Sequence, residues 1–291
     1  MNNHFKPQKT TMDDDIETQN IELQLLLQAI YFKYGYDFRN YAKASIKRRI
    51  QHRMNKEELP NFSAMQHKLL YDLSFFNRLL LDLSINVTEM FRDPNFYLTL
   101  RKFVIPELKK LPFLKIWHAG CSSGEEVYSM AIILKEEGLY QHTQIYATDM
   151  NQVVLNQAKQ GIYSLNKLQQ YTANYQKAGG QESFSDYYSA YYDHVVMAQF
   201  LKENILFSDH NLATDGVFGE MNLIICRNVL IYFNRELQHR ALGLFFESLT
   251  PQGYLCLGSK ESIRFSEYSS AFEDVNRGEK IYLKTHSKLA K

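Results

Sequence analysis

Cysteine is scarce in this chain of 291 residues: Cys121, Cys226 and Cys256 are the three present, far apart and odd in number. That excludes a disulfide framework, and no CxxC or HExxH spacing offers a zinc site, so no metal ligand set is expected. Charge of one sign is also lacking. Lys and Arg total 33 against 32 Asp and Glu, a net charge of +1, which argues against a globally basic nucleic-acid binder. No apolar run reaches the roughly 18 residues that would suggest a membrane span. The opening stretch MNNHFKPQKTTMDDD has no apolar segment of the kind a secretory signal needs, so a cytoplasmic protein is expected.

What is present is a 45% hydrophobic composition, enough for a large core, over a length that suggests about two domains. Residues 1–18 are polar and read as a disordered tail. Residues 19–90 read as an all-helical domain. Ile46, Ile50 and Met54 repeat at helical spacing, Pro60 breaks the pattern, and Asn61 or Ser63 is placed to cap the next helix. Leu69, Leu70, Phe75, Phe76, Leu79, Leu80 and Leu81 supply the apolar surface of a small bundle. Residues 91–291 read as an α/β domain. Strands are expected at 116–119, 144–147, 205–207, 223–226 and 254–257, alternating with helices at 124–135, 152–160 and 235–249. That order implies a mostly parallel sheet with helices on both faces and a ligand at the carboxyl ends of its strands. Residues 165–200, rich in Tyr, Gln and Ser, break the rhythm and read as a small inserted antiparallel subdomain, and Gly278 with 280–283 as a closing hairpin.

The first strand leads into a turn, AGCSSGEE, with Gly120 and Gly124 but not the full GxGxxG of a dinucleotide site. Glu125 and Glu126 open the following helix, where carboxylates suit the helix dipole. A diphosphate in this mouth would meet like charge, whereas a cationic ligand would not. S-adenosylmethionine, with a sulfonium, an ammonium and no phosphate, suits it. Asp149, at the end of the next strand, stands where an acid accepts hydrogen bonds from ribose hydroxyls; the plainer reading is that it caps the next helix.

Together with AGCSSGEEVYSMAI and YATDMN, the segments INVTEMFRD (85–93), SDHNL (208–212), IICRNVLIYF (224–233) and GYLCLGSKES (253–262) stand in the order seen in the CheR-type chemotaxis receptor methyltransferases. The chain resembles that family over about residues 20–285. The resemblance implies a class I methyltransferase fold, S-adenosyl-L-methionine as donor with S-adenosyl-L-homocysteine as product, and a glutamate side chain of a chemoreceptor's cytoplasmic helical region as acceptor. It implies that Asn86, Thr88 and Arg92 close over the methionine end, and that Glu126 meets the methionine moiety. It also implies Asp149 as the ribose ligand, Asn211 and Leu212 as the adenine side, and Gly120, Arg227 and Asn228 beside the cofactor. Arg92 and Tyr232 are then nearest the transferred methyl. Phe91, Leu230, Ile231 and Phe233 are expected in the core, and His118 as a packing residue.

Between Lys33 and Lys56 stand eight basic residues against one acid, Asp37. Lys47, Arg48, Arg49 and Arg53 flank the Ile46/Ile50/Met54 stripe. They are either a solvated face or a docking face for an acidic receptor helix. In some members of the family the inserted subdomain tethers the enzyme to the receptor's C-terminal peptide. Here Tyr187, Tyr188, Tyr191 and Tyr192 crowd together without a matching signature, and tethering stays open. Two alternatives to receptor methylation remain: a different protein acceptor, or a scaffold that binds S-adenosylmethionine without turnover.

Overall fold

The computed structural model describes residues 11–84 and 87–285, in two compact units, 1–85 and 86–291. The boundary falls before the NVTEMFRD stretch, not at 90, so Thr88 and Arg92 belong to one unit. Asn86 lies outside the described residues.

The first unit holds four helices: α1 (Thr11–Tyr34), α2 (Lys43–Lys56), α3 (Phe62–Tyr71) and α4 (Leu73–Leu83). Helix α1 starts inside the stretch read as tail, so residues 11–18 are helical. Asn61, not Ser63, caps α3, its side chain accepting from the Ala64 N–H at 2.8 Å; Asp72 caps α4 from the Phe75 N–H at 3.0 Å. Leu26, Ile30, Ile46, Ile50, Met65, Leu69, Phe75 and Leu79 are buried.

Helix α2 departs from expectation in one respect. Arg53 is buried, while Met54, the third member of the apolar stripe, is half-exposed. The Arg53 guanidinium pairs with Asp82 and lies 3.4 Å from Glu57, whose carboxyl is held down at about 2 by hydrogen bonds from Arg78 and Lys68. Arg49 donates to the Leu83 carbonyl at 2.8 Å and to Ser45 Oγ at 3.1 Å. Two of the four basic residues expected to dock a partner therefore hold α2 to α4 instead. A buried guanidinium needs its partners because its desolvation is otherwise uncompensated.

The second unit opens with α5 (Pro94–Thr99), which passes through a π-helical turn (Leu100–Val104) into α6 (Ile105–Leu108). The alternating part is β1 (Leu114–Ala119), α7 (Glu125–Glu136), β2 (Thr143–Asp149) and α8 (Gln152–Gln160). The insertion comprises β3 (Ile162–Ser164), α9 (Leu168–Lys177), β4 (Tyr188–Ala190) and β5 (His194–Met197). The chain then runs through β6 (Ile205–Asp209), β7 (Met221–Cys226), α10 (Arg235–Ser248), β8 (Leu249–Leu257), β9 (Phe272–Asn276) and β10 (Ile281–Lys284).

The seven-stranded sheet has the order β6-β2-β1-β7-β8-β10-β9, parallel except for β10, which runs antiparallel to both neighbours. This is the class I methyltransferase arrangement that the resemblance implied. The expected closing hairpin is β9–β10. Strands β3, β5 and β4 form a separate antiparallel sheet, beginning a few residues before the expected insertion. The chain leaves β1 toward β2 and β6, then crosses back to β7 on the other side. The carboxyl ends of β1, β2 and β7 therefore frame the crevice where open α/β sheets bind ligands.

Replacing Arg53 with Ala should lower the stability of the protein by roughly 3 kcal/mol in urea melts, since it strands Asp82 in a half-buried position. Arg48→Ala, on the exposed face of the same helix, should change it by no more than about 0.5 kcal/mol.

Candidate functional site

The turn after β1 is built to bring backbone and acids together. Gly120 and Gly124 have φ of +81° and +92°, a region that costs glycine little. A Cβ on Gly120 would meet Val229 Cγ2 at 2.6 Å, so glycine also lets the 227–232 loop approach. The Gly120 and Cys121 N–H groups both donate to the Thr148 carbonyl at 2.8 Å, clamping the turn to the end of β2.

Asp149 ends β2. Its Oδ2 accepts from the Ser122 N–H and its Oδ1 from the Asn151 N–H, both at 2.9 Å. The side chain that caps α8 is that of Asn151, accepting from the Val153 N–H, so Asp149 is left to the turn and the crevice. Burial pushes the Asp149 carboxyl above its usual range against the pull of those two N–H groups.

Glu125 and Glu126 share a helix turn but not an environment. Glu125 is 2% exposed, accepts from Ser123 Oγ at 2.6 Å and lies 3.4 Å from the Tyr171 hydroxyl and 4.0 Å from Lys167 Nζ. Burial raises its pKa, against the pull of Ser123 and Lys167. Glu126 is also pressed upward by burial, but a hydrogen bond from His118 and the charge of Arg227 outweigh that and hold it below the usual range. Its Oε1 lies 3.2 Å from His118 Nδ1 and its Oε2 3.2 Å from Arg227 Nη1. A carboxylate only accepts, so the His118 tautomer here carries its proton on Nδ1. His118 is therefore a partner of Glu126 and not the packing residue expected.

Arg227, just past β7, is the centre of this cluster. Its side chain is 2% exposed, its Nη2 lies 2.7 Å from Asp93 Oδ2, and its guanidinium carbon stands 4.1 Å from the centroid of the Phe96 ring. Its Nη1 also donates to the Arg92 carbonyl at 3.3 Å. Asp93 thus pairs with Arg227, leaving the Arg92 guanidinium to donate to the Val87 carbonyl at 3.0 Å. Phe91 and Asp93, on either side of Arg92, have φ of +53° and +58°. Such a backbone persists only when its surroundings over-determine it. Here the Phe91 N–H donates to Ser129 Oγ at 2.9 Å, and the Phe91 ring meets Tyr97 and Tyr175 edge-on with centroids 5.2 Å apart. Thr88 is half-buried in the same stretch.

The other expected residues follow the carboxyl ends of β6 and β7. Asn211 and Leu212 follow β6, whose Asp209 pairs with Asp149. Leu212 is buried, and Asn211 Oδ1 accepts from the Ala213 N–H at 3.0 Å in a side-chain turn. Asn228 has φ of +61°, and Tyr232 is half-buried in a short helical turn. Among the core expectations, Phe91, Leu230 and Phe233 are buried, whereas Ile231 is half-exposed.

The insertion reaches this site, which the sequence reading missed. The Tyr163 hydroxyl donates to the Ser123 carbonyl at 2.8 Å and Asn174 Nδ2 to the Met90 carbonyl at 3.1 Å. Further along α7, Tyr175, Tyr187 and Arg101 all bond to Glu136, whose side chain is fully buried. Part of the tyrosine richness of this segment is thus internal. Tyr187 is buried, while Tyr191 is 56% and Tyr192 100% exposed. No spacing rule flags these contacts, because each joins residues far apart in sequence.

The donor set fits a cationic nucleoside. Glu126 and Asp149 face the strand ends, residues 116–126 contain no lysine or arginine, and the nearby Arg227 is engaged by acids. That is the site of a methyltransferase using S-adenosylmethionine. Residues 86–279 match the family described as CheR methyltransferase, SAM binding domain, and residues 21–84 its all-alpha domain. The chain belongs to the CheR methyltransferase family. It is 53% identical over 266 residues to "Putative methyltransferase Cher3" of Pseudomonas putida, covering 91% of this chain and 97% of that protein. It is 32% identical over 231 residues to a chemotaxis protein methyltransferase of Listeria innocua, covering 79% and 85% of the two chains. Its likeness to the solved N-methyltransferase NodS of Bradyrhizobium japonicum in complex with S-adenosyl-L-homocysteine is slight: 13% identity, TM-score 0.33, over 58% of this chain and 62% of that one.

The raised pKa of Glu125 makes a pH prediction. A carboxyl whose folded pKa exceeds its unfolded value disfavours the folded state once pH rises through the folded pKa. Glu125→Gln should therefore melt higher than the parent at pH 8 in scanning calorimetry without ligand. The gap should close as pH falls toward the ordinary carboxylate range, near ~4.3.

Proposed function

We propose that the protein transfers the methyl group of S-adenosylmethionine to glutamate side-chain carboxylates in the cytoplasmic helical region of chemoreceptors, giving methyl esters in chemotactic adaptation. The observation that carries this reading is Glu126, drawn toward its charged form by His118 and Arg227 on the helix that follows β1, with Asp149 at the end of the neighbouring β2, in a chain matched to the CheR family over both its domains. A cytoplasmic location accords with this substrate. No helix among the described residues is long and apolar enough to cross a membrane.

The bound donor supplies a sulfonium methyl: the acceptor oxygen forms its bond to carbon as the carbon–sulfur bond breaks with both electrons going to sulfur, and S-adenosyl-L-homocysteine leaves. Everything else falls to the chain. A glutamate carboxylate, with a reference pKa near ~4.3, is already ionised at neutral pH, so no general base is needed. Glu126 is assigned to the ammonium of the methionine part and Asp149 to the ribose hydroxyls. Thr88 and Asn86 are assigned to closing over the methionine end, Asn211 and Leu212 to the adenine, and Gly120, Arg227 and Asn228 to the cofactor's flank. Within that flank, Arg227 acts by fixing Glu126 and Asp93. Arg92 and Tyr232 are assigned to the acceptor, where a guanidinium fork and a hydroxyl can hold one carboxylate oxygen in line. Both must bind loosely, because the acceptor's charge disappears in the reaction.

The docking face we assign is the outer side of α2. Ala44, Lys47, Arg48, Gln51, His52 and Asn55 line a shallow surface there, whereas Arg49 and Arg53 are engaged within the helical unit. Strands β3 and β4 are the edges of the small sheet, and β-addition of a receptor's C-terminal peptide to one of them is the corresponding role for the insertion.

With methyl-tritiated S-adenosylmethionine and receptor cytoplasmic fragments, label should appear on the receptor and leave as volatile methanol on treatment with base. Base-stable label would refute a carboxyl ester. In that assay Arg92→Ala and Tyr232→Phe should each lower the rate by about tenfold or more, the scale expected for a lost positioning contact. Asp149→Ala should instead weaken cofactor affinity by calorimetry. Lys47→Ala with Arg48→Ala should raise the receptor KM severalfold at unchanged kcat, and added salt should shrink the difference, since exposed charges are screened over about 10 Å at 0.1 M. A KM indifferent to both changes would remove the docking assignment.

A further inference from the structure

Glu261 is a buried acid with no part in the reaction as assigned, and it touches the loop that carries three of the assigned residues, Arg227, Asn228 and Tyr232. It is 4% exposed, at the far side of the turn that follows β8. Its Oε2 accepts from the Asn228 N–H at 3.0 Å and from the Gly258 N–H, and its Oε1 accepts from the Ile231 N–H at 3.2 Å. The two oxygens therefore divide the 227–232 loop between them. One fixes the backbone of Asn228, which sits at φ +61°, and the other fixes the residue before Tyr232. Burying an ionised carboxyl is unfavourable, and here burial does raise its pKa against these N–H donors. Main-chain donors from two separate loops, at Asn228 and Ile231 and at Gly258, thus converge on one carboxyl. The packing is also tight: a Cβ on Gly258 would lie 2.7 Å from Glu261 Oε2, 2.8 Å from the Asn228 nitrogen and 2.9 Å from Asn228 Nδ2.

We infer that Glu261 is a positioning residue of the methyltransferase, its two oxygens separately setting the cofactor side of the loop at Asn228 and the acceptor side at Tyr232. This rests on the roles proposed for those two residues, but its central test needs no acceptor. In Glu261→Gln the single remaining oxygen goes to the side with the closer donors, Asn228 and Gly258, and the amide is left facing the Ile231 N–H. In Glu261→Ala both sides are lost. Gly258→Ala keeps the Glu261 side chain but crowds both its Oε2 and Asn228.

The experiment is titration calorimetry with S-adenosylmethionine, corrected for the folded fraction from circular dichroism, beside methyl transfer at saturating cofactor. Glu261→Ala and Gly258→Ala should each raise the cofactor Kd by about tenfold, while Glu261→Gln keeps Kd within about twofold and lowers kcat by about tenfold, loop misplacements of a fraction of an ångström being costly on this scale. A purely structural role would lower the folded fraction and melting temperature of all three and leave the Kd and kcat of the folded molecules unchanged, and that result would overturn the inference. A Glu261→Ala variant with the parent's Kd would overturn it as well. If the parent protein binds the cofactor but labels no receptor, the proposed acceptor fails, while the Kd contrast between the alanine and glutamine variants still decides the role of Glu261.

Discussion

The buried guanidinium of Arg227 is the constraint on which the rest of the site depends. Removing a charge from water is expensive, and only close opposite charges and well-placed acceptors offset it. Arg227 finds Asp93 on the loop before α5, Glu126 on the first turn of α7, the Arg92 carbonyl and the face of Phe96. Because all must be present together, the end of β7, the start of α7 and the left-handed backbone around Arg92 are fixed relative to one another. The same contact keeps Glu126 ionised, with His118 on its other side. One side chain thus supports both the geometry and the electrostatics of the mouth.

Around it the acids separate by environment. Glu125 and Asp149 are pressed by burial toward their neutral forms, while Glu126 is drawn toward its charged form by Arg227 and His118. Adjacent residues in one helix turn therefore differ in electrostatic character because one faces the insertion and the other faces β1 and β7. The insertion supports this division. Tyr171 and Tyr163 reach the 123–125 turn, and Asn174 holds the Met90 carbonyl beside the Arg92 loop. A segment that looks like an appendage in sequence is a wall of the turn after β1, which gives a physical reason for its length.

The helical unit shows the same sorting of similar residues by position. Lys47, Arg48, Arg49 and Arg53 are one run in sequence, yet a helix distributes them around its axis. Arg49 and Arg53 turn inward to carbonyls and acids of the bundle, and Arg48 stays in solvent. A basic run on a helix is therefore divided between contacts inside the bundle and solvent, and only its outer part is left exposed.

Strand and helix order, the parallel sheet, the glycine turn and the acid at the end of β2 were all legible in the sequence, because each rests on local periodicity or on backbone conformations that few residues tolerate. The motif segments likewise marked one end of the sheet, since chain order in a doubly wound fold places the carboxyl ends of the strands side by side. The pairing of Arg227 with Asp93, the tie of His118 to Glu126, the backbone bonds of Glu261 and the inward turn of Arg53 were not legible. Each joins side chains whose proximity is set by packing across the fold, and burial, which gives such pairs their strength, exists only once that packing has formed.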